Sequence, residues 1–419
     1  MAESDHITHN WSGHFAFNAA ATHYPRTIGE VQDLVRRSSK LRPIGIRHSF
    51  HDIADTSGDL VTLRRMDRRI DIDAANRTVT VDGGINYSEL TPVLDAAGWA
   101  LFNLASSPDF TVAGATSTAT HGSGNKNPNL AASVAALEIV TASGELLRLK
   151  RGDADFNGAV VALGALGPTV SITLDLVPSF QMRQDVHHRL DFEQVVDNFD
   201  WLMGSAYSVS LFTHWNGDRV DQAFVKSLAG ATMPAELLGG HPAPGECSPI
   251  WGGDPSGMTA QRGVPGPWFD RLTHARIGTL PSSGNEVQAE YFIPRSDAPA
   301  ALRAIKSIEA QLHPALLVSE IRTVAADEHW LSTTYHQDSV ALHFAFHRVP
   351  ELKAALEAAE AVLRPFAPRP HWGKLFELSG AEVMSRYERL GDFRALAGRC
   401  DPNGKFRNGF LERNVFGPA

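Results

Sequence analysis

Five short segments of this chain carry residues able to do chemistry. The first is Gly45-Ile-Arg-His-Ser-Phe50, with His48 behind a glycine-containing turn. Such a histidine can ligate a metal, act as a base or carry a covalently attached cofactor. The plainer reading is a hydrogen-bonded surface histidine, one of 18 in the chain. No HExxH or comparable spacing accompanies it, which argues against a metal. The second segment, ASSPDFTVAGATSTATHGSG (105–124), sets small and hydroxylated residues around Gly114, Gly122 and Gly124. Small residues let backbone amides approach a phosphate and hydroxyls add donors. It is neither a GxGxxG turn nor a Walker loop, and a Gly/Ser-rich surface loop is the alternative. The third is SEIRT: on a strand, alternation puts Glu320 and Arg322 on one face, which suits a polar substrate or an ordinary solvated ion pair. His343 lies in VALHFAF, where a satisfied core histidine is the ordinary explanation, and HWGK places His371 and Lys374 after a Pro-rich turn, where a lysine is ordinarily solvated.

The elements that must position these residues divide the chain. Thr27 and Glu30 form a capping-box pair ahead of Val31, Leu34 and Val35, so a helix is predicted to end near Ser38. Thr78–Asp82 alternates as a strand, Gly83-Gly84 breaks it, and Leu90, Val93, Leu94 and Ala97 form a second helical stripe capped by Gly98. LEIVTASGELLRLKRGD reads as two strands about Ser143-Gly144, and LGALGPTVSITLDLVP closes the block at Pro178. HHRLDFEQVV and AYSVSLFTHW read as strands of a second sheet, residues 228–288 as long ordered loops, and LLVSEIRTVAAD and SVALHFAFHR as a strand pair. Helices are predicted over Pro299–Leu312 and Glu351–Leu363. Interleaved strands and helices favour an α+β or α/β class.

At 419 residues, 43% of them hydrophobic, the chain can bury a sizeable core in two or three domains. A net charge of -9 repels phosphate backbones and argues against a general nucleic-acid binder. Two cysteines, Cys247 and Cys400, exclude a disulfide scaffold or Cys-rich zinc module. The polar start lacks the features of a secretory signal and no apolar run has the length of a membrane helix, so a soluble, cytoplasmic protein is expected.

GIRHSF followed by ATSTATHGSG resembles the FAD domain of the vanillyl-alcohol-oxidase group of flavoproteins. SEIRT, the LHF strand, RPHWGK and the closing DPNGKFRNGF are similar to its sugar-acid-lactone and alditol oxidase branch. The resemblance covers nearly the whole chain; each motif alone would be weak, while the ordered set is specific. It implies an α+β fold with an FAD-binding domain over 1–180, a substrate (cap) domain with an antiparallel sheet over 181–365, and a segment 366–419 returning to the FAD domain. His48 matches the histidine that carries FAD covalently, within a first pyrophosphate loop of Pro43, Ile44, Gly45, Ile46, Arg47, His48 and Ser49. Ser106, Thr111, Gly114, Thr118, Ala119, Thr120 and His121 match the second FAD-binding stretch, Val170 the adenine side and His371 a flavin-contacting position.

By the same resemblance, Glu320, Arg322 and Lys374 match the substrate site, Ser106 reaches both flavin and substrate, and His343 shares a strand with a further substrate-facing position. Arg322 and Lys374 would stabilise a developing alkoxide, with Lys374 also able to take the proton. At that further position the chain has Ala345 where the branch carries threonine, which leaves chain-length preference open; Arg47 stands where lactone oxidases usually carry glycine. The implied reaction is oxidation of the terminal primary alcohol of alditols (xylitol, sorbitol) to the aldose, with oxygen reduced to hydrogen peroxide. An aldono-1,4-lactone oxidase or dehydrogenase of the same fold is the alternative, and a sugar-binding protein without turnover is a third class. The expected partners are a small polyol and oxygen, with no metal, nucleic acid or membrane, and the expected state is a monomer.

Overall fold

The computed structural model describes residues 6–232, 234, 236–279 and 285–417. Helix Ile28–Arg37 starts as its sequence predicts: the Thr27 hydroxyl accepts from the Glu30 N–H at 3.2 Å. The Glu30 carboxylate accepts from the Arg26 N–H at 2.7 Å instead of from Thr27, so the reciprocal half of the box is displaced by one residue. Val31, Leu34 and Val35 bury their stripe against Leu41, Val61, Val140, Val170 and Phe406. Helix Tyr87–Ala96 opens with an Asn86–Glu89 capping box, and Gly98 follows its end at a φ of +80°.

These helices flank two small sheets. One is parallel, in the order Ala21–His23, Asp59–Val61, Leu41–Pro43. The other is antiparallel, in the order Ile70–Asp73, Thr78–Asp82, Thr169–Asp175, Val134–Val140, Leu146–Lys150. A nine-stranded antiparallel sheet makes the second layer. Its long strands run Gln181–Asp191, Arg219–Leu228, Ser208–Thr213, Leu316–Val324, Ser339–His347 and Glu286–Pro294. The fold is mixed α+β.

Three predicted boundaries move. The strand through HHRLDFEQVV stops at Asp191, whose carboxylate caps helix Phe192–Asp197 by accepting from the Gln194 N–H at 3.0 Å. The helix over Pro299–Leu312 is two pieces, Ala298–Lys306 and Glu309–Leu312; at the break the Ser307 hydroxyl donates back to Ala304 O at 2.7 Å. The small-residue segment is not all loop, because Thr111 caps a short helix Val112–Ser117. Of residues 228–288, Met233, Ala235 and 280–284 lie outside the described residues; the rest is mostly irregular, with strands His241–Pro242 and Gly266–Pro267 and the turn of helix Phe269–Leu272.

The chain beyond 366 first stays with the large sheet. Arg369–Pro370 pairs with Phe292 and Tyr291, and the Leu375 N–H donates to Gln288 O at 2.8 Å, which satisfies backbone groups on that edge. Between these contacts Gly373 O accepts from the Phe50 N–H at 2.9 Å, and further on the segment ties to the smaller sheets: Lys405 Nζ donates to Ala142 O at 2.9 Å, Arg42 donates to Phe406 O at 2.8 Å, and Asn408 Nδ2 donates to the carbonyls of Asp52, Ile53 and Asp55. Among the described residues no helix is long and apolar enough to cross a membrane.

Candidate active site

A cavity of about 300 Å³ runs between the two layers and is lined by residues from both. From the smaller layer it takes Pro43 through Phe50, Ser106, Thr111, Gly114, Thr118, Thr120 and His121; from the large sheet it takes Glu290, Glu320, Arg322, His343 and Ala345, with His371 and Lys374 beyond its edge strand. Of the residues that the resemblance assigns to cofactor and substrate, two do not line it. Ala119 is buried in the turn after helix Val112–Ser117 at a φ of +53°. The Val170 side chain packs into the cluster around Leu34 and Phe406, leaving its neighbour Thr169 on the cavity.

At one end the loop Gly45–Ser49 offers five successive backbone N–H groups with no acceptor among the described residues. Arg47 lies at a φ of +67°, the left-handed conformation that turns consecutive amides into an anion-binding nest. Glycine is required where this loop meets the second: a Cβ on Gly45 would sit 2.5 Å from the Thr111 hydroxyl, and one on Gly114 2.6 Å from the same oxygen. The Thr118 and Thr120 hydroxyls, 3.2 Å apart, add polar groups. Unpartnered amides with hydroxyls close by fit the pyrophosphate of a dinucleotide cofactor. His48 stands further along, its ring 4.5 Å from that of Trp11 and 4.7 Å from that of Phe110. Burial, then the charge of Lys374, lowers its pKa to about 3, so it is neutral.

At the other end polar groups gather on one carboxylate. Glu290, fully buried, accepts from Arg322 at 2.9 Å and from Lys374 Nζ at 2.7 Å. Burial pushes its carboxyl up, but Lys374, His121 and Arg322 outweigh that and hold it well below the ordinary value. Arg322 also donates to the Ser106 hydroxyl at 3.1 Å and lies 3.5 Å from Glu320. Burial, then Arg322, lowers the Lys374 pKa, and Glu290 opposes the shift. His343, lowered to about 3 by burial and then Lys374, donates its Nε2–H to Gln288 Oε1 at 3.1 Å and leaves Nδ1 without a partner. Glu320 and Arg322 are thus neither solvated nor an isolated pair; each is only 5% exposed.

Three residues of this end carry no mark in the sequence reading. Glu290 follows Glu286 and Gln288 at a spacing of two on one face of strand Glu286–Pro294, a polar alternation that could have been noticed. His274, on the cavity wall beside Glu320, and Lys226 behind it come from an irregular loop and from strand Arg219–Leu228 and have no such signal. His121, Glu290 and His371 also come within 4.8 Å of one another, a spacing open to a metal ion. Two cations already share the Glu290 carboxylate, and their repulsion opposes a third.

Comparison with known proteins agrees with this geometry. Residues 19–150 match the model of an FAD binding domain, and residues 283–414 match that of D-arabinono-1,4-lactone oxidase. The chain is 43% identical to alditol oxidase from a Streptomyces species, over 96% of this chain and 97% of the relative. It is 30% identical to L-gulono-1,4-lactone dehydrogenase from Mycobacterium tuberculosis, over 98% and 99% of the two chains. Among solved structures, cholesterol oxidase from B. sterolicum has the same fold, with a TM-score of 0.78 at 14% identity over 97% of this chain and 96% of that one. An amide-rich cofactor end joined to a buried carboxylate–cation end, with this similarity along nearly its whole length, leads to one conclusion: the chain belongs to the FAD-binding oxidoreductase family of alditol oxidase.

Proposed function

We propose that this protein is an FAD-dependent alditol oxidase, which converts the terminal primary alcohol of a polyol such as xylitol or sorbitol to the aldose and passes the electrons to oxygen. The carrying observation is the cluster of Ser106, Glu320, Arg322, His343 and Lys374 in the same cavity as the amide nest. FAD, when bound, supplies the hydride acceptor. Arg322 and Lys374, held side by side on Glu290, form a preorganised cationic pair for the negative charge that grows on the substrate oxygen. Lys374 is an ammonium while it pairs with Glu290; its lowered pKa makes the neutral amine easier to reach, and only that form takes the hydroxyl proton and returns to the cation. His343 Nδ1, without a protein partner, accepts a hydrogen bond from one substrate hydroxyl, while Glu320 and Ser106 hold neighbouring hydroxyls. Shorter, less hydroxylated alcohols leave these buried groups unpaired and are rejected.

His48 is the attachment point for FAD in this reading. It is neutral, lines the cavity, and neither ring nitrogen has a hydrogen-bond partner among the described residues. A second reading, oxidation of an aldono-1,4-lactone, is favoured by the match over residues 283–414. Anaerobic bleaching of the flavin with a panel of alditols and lactones separates the two: xylitol or sorbitol should reduce it faster than any lactone. A lactone that outperforms every alditol would move the protein to the second reading.

A further inference from the structure

From the cavity wall at the polyol end a buried chain, His274 and then Lys226, leads inward, with no part in the reaction as proposed. Lys226, 1% exposed, donates from Nζ to Leu272 O at 2.7 Å and Thr273 O at 2.9 Å, and lies 3.2 Å from His274 Nδ1. An ammonium has three donors and no acceptor, so these three partners saturate it and His274 Nδ1 must be the accepting nitrogen. The proton of the neutral imidazole is therefore on Nε2, 3.0 Å from Glu320 Oε1. The rings of Phe212 and Phe224, with centroids 5.5 and 5.6 Å away, hold the imidazole edge-on. Its own backbone N–H donates to Ser106 O at 2.9 Å, so one residue ties both Ser106 and Glu320.

We propose that His274 and Lys226 are positioning residues for hydroxyl recognition: Lys226 fixes the His274 tautomer, and His274 occupies Glu320 Oε1 so that Oε2 is left for a substrate hydroxyl. The inference rests on the polyol reading above for its substrate, and on the geometry alone for its tautomer. Glu320 Oε2 has no partner among the described residues, and Glu320 lines the cavity. Arg322 Nε, 3.5 Å from Oε1 and without a hydrogen bond of its own, could draw an unanchored carboxylate away from that pose. Burial lowers Lys226 to about 7, with Glu320 opposing and Arg322 reinforcing the shift, and burial followed by Lys226 lowers His274 to about 4. Near pH 6 the pair is therefore an ammonium beside a neutral imidazole.

The first test is ¹⁵N-histidine NMR of the FAD-loaded protein at pH 6, with the His274 signal identified by its loss in His274→Gln. The wild type should show an Nε2–H imidazole, and Lys226→Met should shift it toward a mixture of tautomers. An Nδ1–H imidazole in the wild type, or an unchanged tautomer in Lys226→Met, overturns the proposal. If Lys226→Met does not fold, the wild-type tautomer and the kinetic arm still decide. In that arm His274→Ala should raise KM for the alditol about ten- to a hundredfold, the loss of one charge-assisted hydrogen bond, with a smaller change in kcat. His274→Gln, which keeps a donor near Nε2, should recover most of it, and adding His274→Ala to Glu320→Gln should cost little more. Equal losses in His274→Ala and His274→Gln, or additive losses with Glu320→Gln, indicate packing alone and sink the idea. A wild type that oxidises only lactones refutes the polyol reading but not the relay, which is then judged by the NMR result and by the same variants on the lactone.

Discussion

Glu290 is the residue on which the cationic end depends, and replacing it by glutamine tests the site most directly. The substitution keeps the volume and removes the charge. At 2.7 and 2.9 Å, each of the two ion pairs is worth about 6 kcal/mol of Coulomb attraction at an effective dielectric of about 20. Desolvation offsets most of that while the pairs are intact, but losing the shared carboxylate strands two cations side by side. Breaking a buried pair from one side costs about 3–5 kcal/mol. Glutamine also places an NH₂ group against either Arg322 or Lys374, a donor facing a donor. Urea denaturation of the FAD-loaded protein at pH 7 should therefore show Glu290→Gln destabilised by about 3–5 kcal/mol. Since the two cations also lose their orientation, kcat should fall about a hundredfold or more. Glu290→Asp, which keeps the charge on a shorter stem, should lie between. A Glu290→Gln protein within about 1 kcal/mol of the wild type and with unchanged kcat would refute the placement of charge argued here.

Four further outcomes are expected. Wild-type protein precipitated in acid should stay yellow and His48→Ala should release its flavin or fail to bind it; all the flavin in the wild-type supernatant would disprove the covalent bond. Lys374→Ala should slow flavin reduction by about a hundred- to a thousandfold with a much smaller effect on polyol affinity, and stopped-flow reduction at the wild-type rate would discard its role. Ala345→Thr adds a hydroxyl to the cavity wall, and a contact worth about 0.5–1.5 kcal/mol should lower KM for the longer polyols; unchanged KM across chain lengths would exclude that contact. His274 and His343 titrate near 4 and 3 in the folded protein against an ordinary 6.5, so below pH 6.5 the unfolded chain binds more protons. Each histidine then removes about 1.4 kcal/mol of stability per pH unit as pH falls from 6.5 toward 4, and His274→Gln should flatten the measured slope by one proton.

Local patterns in the chain carried a good part of this account. Thr27 before Val31, Leu34 and Val35 sets a helix start because capping and the 3.6-residue stripe are local physics. Alternation in SEIRT puts Glu320 and Arg322 on one face of strand Leu316–Val324, and both side chains do line the cavity. The small residues of 105–124 leave room for close packing, and Thr111 of that stretch sets its hydroxyl where a Cβ on Gly45 or Gly114 would stand. The resemblance of the ordered motifs carried the family.

What the tertiary structure alone decided is which polar side chains lose their water. Glu290 looks like any acid on an alternating strand until the smaller layer covers that face, and Arg322 from another strand of the same sheet and Lys374 from the turn after Pro370 come onto it. Lys226 stands on a strand with no local reason to be buried, and it meets His274 only because the irregular stretch before 275 folds back over strand Arg219–Leu228. Val170 is the converse: the strand's pleat turns its side chain toward Leu34 and Phe406 and leaves Thr169 on the cavity. Periodicity determines which residues share a face, because it is a property of the backbone within one element. Whether that face meets solvent, a core or a partner charge depends on contacts between residues far apart in the chain, and for Glu290 and Lys374 those 84 positions of separation are closed only by the fold.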